Sequence, residues 1–475
     1  MLENVLPHLY PWHALSTVLV SLFIYQAAKM IYNAHVDTLR SIPGPWLSSA
    51  SSVWIRWQRW HGRLSLEADK LMSKYGPIVR IAPNLVILSD PEAVEKVFVR
   101  KDLDTSPTSI RALRVGGHDW TVTYPQHDIA RQRRHSVMIA TTTKNLKIAQ
   151  SEDIVHHLRI CTLKNSQIIM GGQAVDLDTK GFPRVVGEYN FPVVWRLCLP
   201  SWLFEWLQYV PIFSHACFRV QSSDRLFELG EELCRQAADT QSNSDMDSNV
   251  HTLFTDNSAK YPTQAWTNPE LAAEMAGQVL AATETTSSAL AFIYYELAKN
   301  QQLQKELYKE VVAHEGYEDL DSLKLLDACI MEGLRFRPPV ALTGSRMVPK
   351  GGLNVLGYYL PEGTVLTTQS LSMSRQRPDL FPDYDAYNPL RWMGEDDEFS
   401  AERRRLVVPF GVGARRCPGG NMATYQMRLI LVATFRAFKI SLAPETTPEV
   451  MAPFEANGYR SRHDRCDLVF TPHKV

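Results

Sequence analysis

Cysteine pairing is the first feature that the sequence lacks. Its seven cysteines are an odd number, and no two of them are separated by only two residues. This pattern argues against a disulfide framework and against a cysteine-rich zinc site, and it predicts a reducing compartment for the body of the chain. A charge excess is also lacking, because the net charge is −1. The sequence therefore gives no reason to expect a nucleic-acid partner.

A dinucleotide-binding motif is missing as well. Gly411 and Gly413 have the first spacing of G-x-G-x-x-G, but Arg416 stands where the third glycine would be. The sequence therefore predicts no nicotinamide site of its own.

The N-terminus lacks charge over a long stretch. No charged residue occurs between Glu3 and Lys29, and Pro11 to Ile31 is predominantly apolar. This length predicts a transmembrane helix, with a buried helix of the domain as the alternative. Because the basic residues follow the span, the positive-inside rule predicts a cytosolic body. We expect a membrane anchor and hinge over residues 1–40 and one domain over residues 41–475.

The longest helical pattern lies in the second half of the chain. Thr267 is a suitable cap, Pro269 fits the first turn, and the pattern continues to about Asn300. Its middle, Ala281 to Thr286, places small residues, an acid and hydroxyls in an otherwise apolar helix. The segment is either a ligand-facing stretch or a polar stripe of an ordinary helix. A shorter helix is predicted over about Leu323 to Phe336.

One cysteine occupies a distinctive position near the C-terminus. Cys417 follows the glycines of a tight turn and precedes Pro418, and a helical pattern runs from Asn421 to Phe438. With the proline in the first helical position, the sulfur would lie at the positive end of a helix, which favours the metal-binding thiolate. An ordinary half-buried cysteine is the alternative interpretation.

Together these segments resemble the cytochrome P-450 superfamily. Phe410-x-x-Gly413-x-Arg415-x-Cys417-x-Gly419 matches its haem-binding signature at every fixed position. Further matches, in the family's order, are the Pro43-Gly44-Pro45 hinge, the oxygen-groove segment Ala281 to Thr286, Glu332 and Arg335 of the E-x-x-R pair, and Tyr387 to Trp392.

The resemblance implies a mainly α-helical cytochrome P-450 fold with a small β-rich portion, behind the N-terminal transmembrane helix. Cys417 would be the axial ligand of a haem b iron. Thr285 and Glu284 would act on oxygen and protons at the opposite haem face. Arg415 and Arg346 would bind the haem propionates.

The resemblance leaves the third propionate contact open on the helix predicted around residue 130. Arg133 is preferred, with His127 as a possible partner, and Arg131 is the alternative. Glu332, Arg335 and Arg391 are expected to form a buried ion-pair triad.

The implied function is a monooxygenase that inserts one atom of O2 into a lipophilic small molecule. Electrons would come from NADPH through a separate reductase, with the chain held as a single-pass protein of the endoplasmic reticulum membrane. The pattern resembles fungal members that tailor secondary metabolites. The expected pocket walls are Ser106 to Tyr124, the Trp-rich segment Gly181 to Phe218, Val340 to Thr343, and Phe454 to Tyr459.

Two other functions remain open at this point. A haem-thiolate isomerase or dehydratase needs no external electrons, although its relatives usually lack the acid–alcohol pair that Glu284 and Thr285 form. A haem-binding membrane protein with impaired activity is the other alternative, because the segments between Arg133 and Glu332 look short.

Overall fold

The computed structural model describes residues 6–101, 103–124, 154–171, 181–210, 221–241, 266–394, 398–456 and 458–473. Most of the described residues lie in helices, and the strands are short. The helices are α1 Leu6–His35, α2 Trp46–Ala50, α3 Val53–Trp60, α4 Leu64–Tyr75, α5 Pro91–Val94, α6 Pro107–Arg111, α7 Ile154–Gly171, α8 Phe182–Cys198, α9 Ser201–Gln208, α10 Gln221–Gln241, α11 Asn268–Lys299, α12 Gln301–Ala313, α13 Lys324–Phe336, α14 Ser370–Arg375, α15 Glu398–Leu406 and α16 Gly420–Ala437. Single helical turns occur at Thr121–Thr123, Leu320–Ser322, Pro389–Trp392 and Gly413–Arg415, among others.

The strands are β1 Ile78–Ala82, β2 Leu85–Leu88, β3 Leu342–Met347, β4 Leu353–Val355, β5 Tyr358–Leu360, β6 Val365–Gln369, β7 Phe438–Leu442, β8 Pro453–Glu455, β9 Tyr459–Ser461 and β10 Leu468–Pro472. The largest sheet has the strand order β1-β2-β6-β3. Strands β1 and β2 form a hairpin, since they are consecutive in the chain and pair antiparallel. Strand β3 pairs antiparallel with β6 and carries Arg346.

The predicted long helix is confirmed as α11. The Thr267 hydroxyl accepts a hydrogen bond from the Glu270 N–H at 3.4 Å, and the Glu270 carboxylate accepts one from the Thr267 N–H at 3.1 Å. This reciprocal cap satisfies two backbone donors that a helix start leaves open. Almost every side chain from Leu271 to Ala298 is buried or half-buried, because α7, α10 and α13 pack around the helix.

The predicted ion-pair triad is confirmed at the end of α13. The Glu332 carboxylate is completely buried and lies 2.8 Å from Arg335 Nη2 and 3.2 Å from Arg391 Nε. It also accepts hydrogen bonds from the Asn388 N–H and the Trp392 indole N–H, both at 2.9 Å. These donors compensate for the loss of water around a buried charge.

The predicted transmembrane anchor is wrong. In the part of the chain that the structure describes, no helix combines the length and the apolar character that a bilayer crossing needs. Helix α1 has enough residues, but polar side chains interrupt its apolar run, namely His13, Ser16, Thr17, Ser21 and Gln26. The same finding contradicts the predicted single-pass location in the endoplasmic reticulum membrane.

The segments that looked short in the sequence contain helices. Helices α7 to α10 lie between residues 154 and 241, and α12 lies between α11 and α13.

Candidate active site

The Cys417 loop is held by its own backbone. The Cys417 N–H donates to the Phe410 carbonyl at 2.7 Å, and the Arg416 N–H donates to the Gly413 carbonyl at 3.0 Å. Gly413 has φ +73°, and a Cβ there would lie 2.1 Å from the Phe98 carbonyl oxygen. Glycine is therefore required at this position for both conformation and space. Helix α16 begins at Gly420, so the expectation that Pro418 opens it is wrong by two residues.

Cys417 differs from the other described cysteines in its exposure. Burial raises the thiol pKa of Cys161 to about 11 and that of Cys234 to about 12, and it also raises the pKa of Cys329. Cys417 is exposed and lines a cavity. Since the thiolate is the form that binds metal, Cys417 is the described cysteine best placed to act as a ligand.

The cavity has a volume of about 410 Å³ and lies between the cysteine loop and α11. Its walls are mostly apolar. Helix α11 contributes Gln278, Ala281, Ala282, Thr285, Thr286 and Ala289, and the loop side contributes Phe410, Val412, Arg415, Cys417, Pro418 and Gly419. The structure therefore brings the two segments singled out in the sequence to one cavity.

Two cations and two hydroxyls line the same cavity, and both hydroxyls lie at the edge that Arg346 forms. Arg415 donates from Nη1 to the Tyr124 carbonyl at 3.0 Å, and Arg346 is 5% exposed. Ser345 precedes Arg346 in β3, and Thr105 pairs with Arg346 in an isolated β-bridge. The hydroxyls of Thr105 and Ser345 are buried and have no hydrogen-bond partner among the described residues. Buried hydroxyls without partners are costly, which indicates that a polar ligand group completes this edge.

These residues fit haem b. An exposed cysteine sulfur fits an iron ligand, and the largely apolar cavity fits a flat macrocycle. Two guanidinium groups and two unsatisfied hydroxyls in its walls fit the two propionates. His127, Arg131 and Arg133, the candidates for a further propionate contact, lie outside the described residues.

Two adjacent threonines on α11, Thr285 and Thr286, line the cavity but differ in their hydrogen bonding. The Thr285 hydroxyl donates to the Ala281 carbonyl at 2.8 Å, one turn earlier. The Thr286 hydroxyl is buried and has no partner among the described residues.

Glu284 faces away from the cavity. Its carboxylate accepts hydrogen bonds from Arg159 Nε and Nη2, each at 3.0 Å, and from Asn190 Nδ2 at 3.1 Å. Arg159 also donates to Asp464 through two hydrogen bonds of 2.7 Å. Burial alone would lower the pKa of Arg159, but the two carboxylates outweigh burial and raise it. The assignment of Glu284 to proton transfer stays a prediction.

The predicted pocket walls are only partly those that the structure shows. Two predicted segments contribute lining residues, which are Ile110, Leu113, Trp120, Thr121, Val122 and Val340. The described residues of the Trp-rich segment and of Phe454 to Tyr459 contribute none. Sequence reasoning also missed Arg159, although it is a cation in the mostly apolar helix α7.

Comparisons with known proteins agree with this site. The family model described as Cytochrome P450 matches residues 131–458. Among curated proteins, cytochrome P450 monooxygenase atr2 of Stereocaulon alpinum is 26% identical over 462 residues, covering 88% of each chain. Cytochrome P450 monooxygenase cypX of Dothistroma septosporum is 24% identical over 495 residues, covering 96% of each chain.

A solved structure shares the fold. The retinoic-acid-bound cyanobacterial CYP120A1 aligns with a TM-score of 0.71 at 20% identity, covering 90% of this chain and 99% of that chain. The mainly helical architecture with a small β portion is therefore confirmed.

Proposed function

Since this chain belongs to the cytochrome P450 family, it is a haem-thiolate monooxygenase, and we propose that it oxidises a lipophilic small molecule of fungal secondary metabolism. The observation that carries the proposal is that Cys417, Thr285, Arg346 and Arg415 all line one mainly apolar cavity. Similarity to fungal relatives named as cytochrome P450 monooxygenases supports the proposed metabolic context. The domain of residues 41–475 is proposed to act as one catalytic unit.

The chain's own groups hold the cofactor in this proposal. Cys417 is the iron ligand, and the Phe410 carbonyl fixes the backbone that carries the sulfur. Arg346 and Arg415 neutralise the propionates at one edge of the cavity. When bound, the haem supplies oxygen activation at an iron whose thiolate ligand favours O–O bond cleavage. Phe410, Gly413 and Gly419 keep the loop compact beside the macrocycle.

Thr285 and Glu284 are proposed to manage protons on the opposite wall. The Thr285 hydroxyl can rotate from the Ala281 carbonyl and donate into the cavity, because that carbonyl is the one partner it has among the described residues. Glu284 is held by Arg159 and Asn190, so a relay through it requires the carboxylate to exchange one of these partners for a proton donor. Thr285 therefore carries the nearer role.

Electrons are supplied by a separate reductase that uses NADPH. Arg416 is exposed and adjoins Cys417 in the loop, and exposed Arg404 lines a surface cleft together with Phe410. We propose that they contribute to a basic surface on which the reductase docks. We leave Arg403 out of this surface, because its side chain donates a hydrogen bond to the Leu380 carbonyl at 2.8 Å.

The test is the spectrum of the reduced carbonyl complex. Cys417→Ala should abolish the red-shifted Soret band, because that band requires a thiolate ligand. Cys234→Ala is the matched control, since this half-buried cysteine does not line the cavity, and it should leave the band unchanged. A band that survives in Cys417→Ala would disprove the ligand assignment.

Turnover distinguishes the oxidation from a peroxide rearrangement. Product formation should require both NADPH and the reductase. Product formed from a peroxide substrate without either would favour an isomerase or dehydratase.

A further inference from the structure

Two polar residues interrupt the apolar wall of the cavity at a distance from the cysteine. Gln278 on α11 and Thr121 in the turn Thr121–Thr123 both line the cavity. They are 7% and 2% exposed, so neither is an ordinary surface group. A haem site at the Cys417 end of the cavity gives no role to either polar side chain.

A buried carboxylate fixes both residues. Glu274 is completely buried, and its Oε1 accepts a hydrogen bond from Gln278 Nε2 at 2.7 Å. Its Oε2 accepts one from the Thr121 N–H at 2.5 Å. The Gln278 amide thus turns its NH2 group toward Glu274, which leaves its oxygen as an acceptor for another group. The orientation of the amide is thereby set.

The remaining polar side-chain atoms of Gln278 and Thr121 have no hydrogen-bond partner among the described residues. The Gln278 amide oxygen accepts no hydrogen bond from any residue that the structure describes, and the Thr121 hydroxyl is buried without a partner in the same part of the chain. The backbone that presents them is tightly packed, since a Cβ at Gly277 would lie 2.4 Å from the Trp120 ring. One acceptor and one hydroxyl therefore line the cavity on two residues that Glu274 holds in place.

The geometry points to a substrate-recognition subsite: we propose that Gln278 and Thr121 bind a hydroxyl group of the substrate. The hydroxyl donates to the Gln278 amide oxygen and accepts from the Thr121 hydroxyl. Gln278 precedes Thr285 by two helical turns, which is about 10.5 Å along α11. The substrate is thus a lipophilic alcohol or phenol whose hydroxyl binds about two helical turns from the Thr285 end of the cavity. This inference rests on the proposed function.

The test uses imidazole ligands of the haem-loaded full chain, read from the absorbance shift on coordination of iron. The probe is 4′-(imidazol-1-yl)biphenyl-4-ol, compared with its methyl ether and with the biphenyl that lacks the hydroxyl. The phenol should bind roughly five- to tenfold more tightly than either analogue, as expected for one or two neutral hydrogen bonds.

Two variants assign the preference to the pair. Thr121→Val removes only a hydroxyl without a described partner and keeps the backbone bond to Glu274, so it should fold normally and reduce the preference at least threefold. Gln278→Met should reduce the preference similarly. Met170→Leu, at an apolar residue of the same cavity, is the control and should leave the ratio of dissociation constants unchanged.

The outcomes separate the two proposals. Equal binding of the three biphenyls, or a preference that survives in both variants, would overturn the subsite. Binding of unsubstituted imidazole without binding of any biphenyl would also overturn it, because the cavity would not reach the pair. If imidazole itself gives no shift, the haem assignment fails and the subsite fails with it.

Discussion

Gln426 shows how one buried side chain can oppose stability. It is completely buried in α16, and neither its amide oxygen nor its amide nitrogen has a hydrogen-bond partner among the described residues. Leaving buried polar atoms unsatisfied costs about 1–3 kcal/mol, whereas a hydrocarbon of similar shape has no such penalty. We therefore expect Gln426→Leu to increase the free energy of unfolding by about 1 kcal/mol, measured by denaturant titration of the haem-loaded protein.

Gln304 is the matched control for this prediction. It is also buried, but its amide donates to the Leu297 and Ile440 carbonyls and accepts from the Ile440 N–H at 2.8 Å. Gln304→Leu should lower the free energy of unfolding by about 1–3 kcal/mol, because it leaves backbone groups without partners. If both variants destabilise equally, the Gln426 amide is satisfied in solution and the prediction is wrong.

At the scale of elements, Arg159 ties three parts of the fold together. From α7 it contacts Glu284 of α11 and Asp464, which follows β9. Burial alone would raise the pKa of Asp464, but hydrogen bonds and charge from Arg159 hold it below the ordinary value. A lowered pKa stabilises the fold above the ordinary aspartate value of about 3.9, and that contribution is lost as pH falls through the lowered pKa.

Asp464→Asn removes this charge with little change of backbone. Asp464 has φ +54°, a conformation that asparagine tolerates. We expect a loss of about 1–2 kcal/mol at pH 7, less than for a fully buried pair because the side chain is 32% exposed. The difference from wild type should stay constant between about pH 5 and 8 and shrink below about pH 4.

An exposed ion pair is the control in the same pH series. Asp379 pairs with Arg377 at 2.7 Å, but its side chain is 53% exposed. Asp379→Asn should change thermal stability little at any pH, because such pairs contribute little. A pH-independent loss in Asp464→Asn would show that its charge is not what joins these elements.

At the scale of the whole molecule, contacts between residues close in the sequence could be predicted, whereas contacts between distant segments could not. The cap of α11 and the Glu332–Arg335 pair depend on neighbours three residues apart, so their spacing was sufficient. The assignment of Cys417 also depends on a local motif, the ten residues from Phe410 to Gly419. The predicted membrane crossing is wrong because it rests on the length of the uncharged N-terminal stretch, whereas polar residues interrupt that stretch within α1.

Contacts between distant segments explain what the sequence could not show. Thr121 meets Glu274 across 153 positions, and Arg159 meets Asp464 across 305. No repeating pattern in the sequence indicates either contact, because both contacts depend on how helices and turns pack around α11. The predicted acid–alcohol pair therefore divides, with Thr285 lining the cavity and Glu284 in an ion-pair network outside it.

The cavity itself gives the last prediction, because its walls come from most of the chain. Residues lining it range from Phe98 to Met427 and belong to the sheet, α11, α13 and the cysteine loop. A ligand that fills it binds the folded state alone and stabilises by about 2.7 kcal/mol at one hundred times its dissociation constant. Haem-loaded protein should therefore melt several degrees above haem-free protein in calorimetry. The haem-dependent increase should be smaller in Cys417→Ala, which loses the iron ligand but keeps the arginines. Haem that binds by absorbance yet leaves the melting temperature unchanged would mean that it occupies another surface.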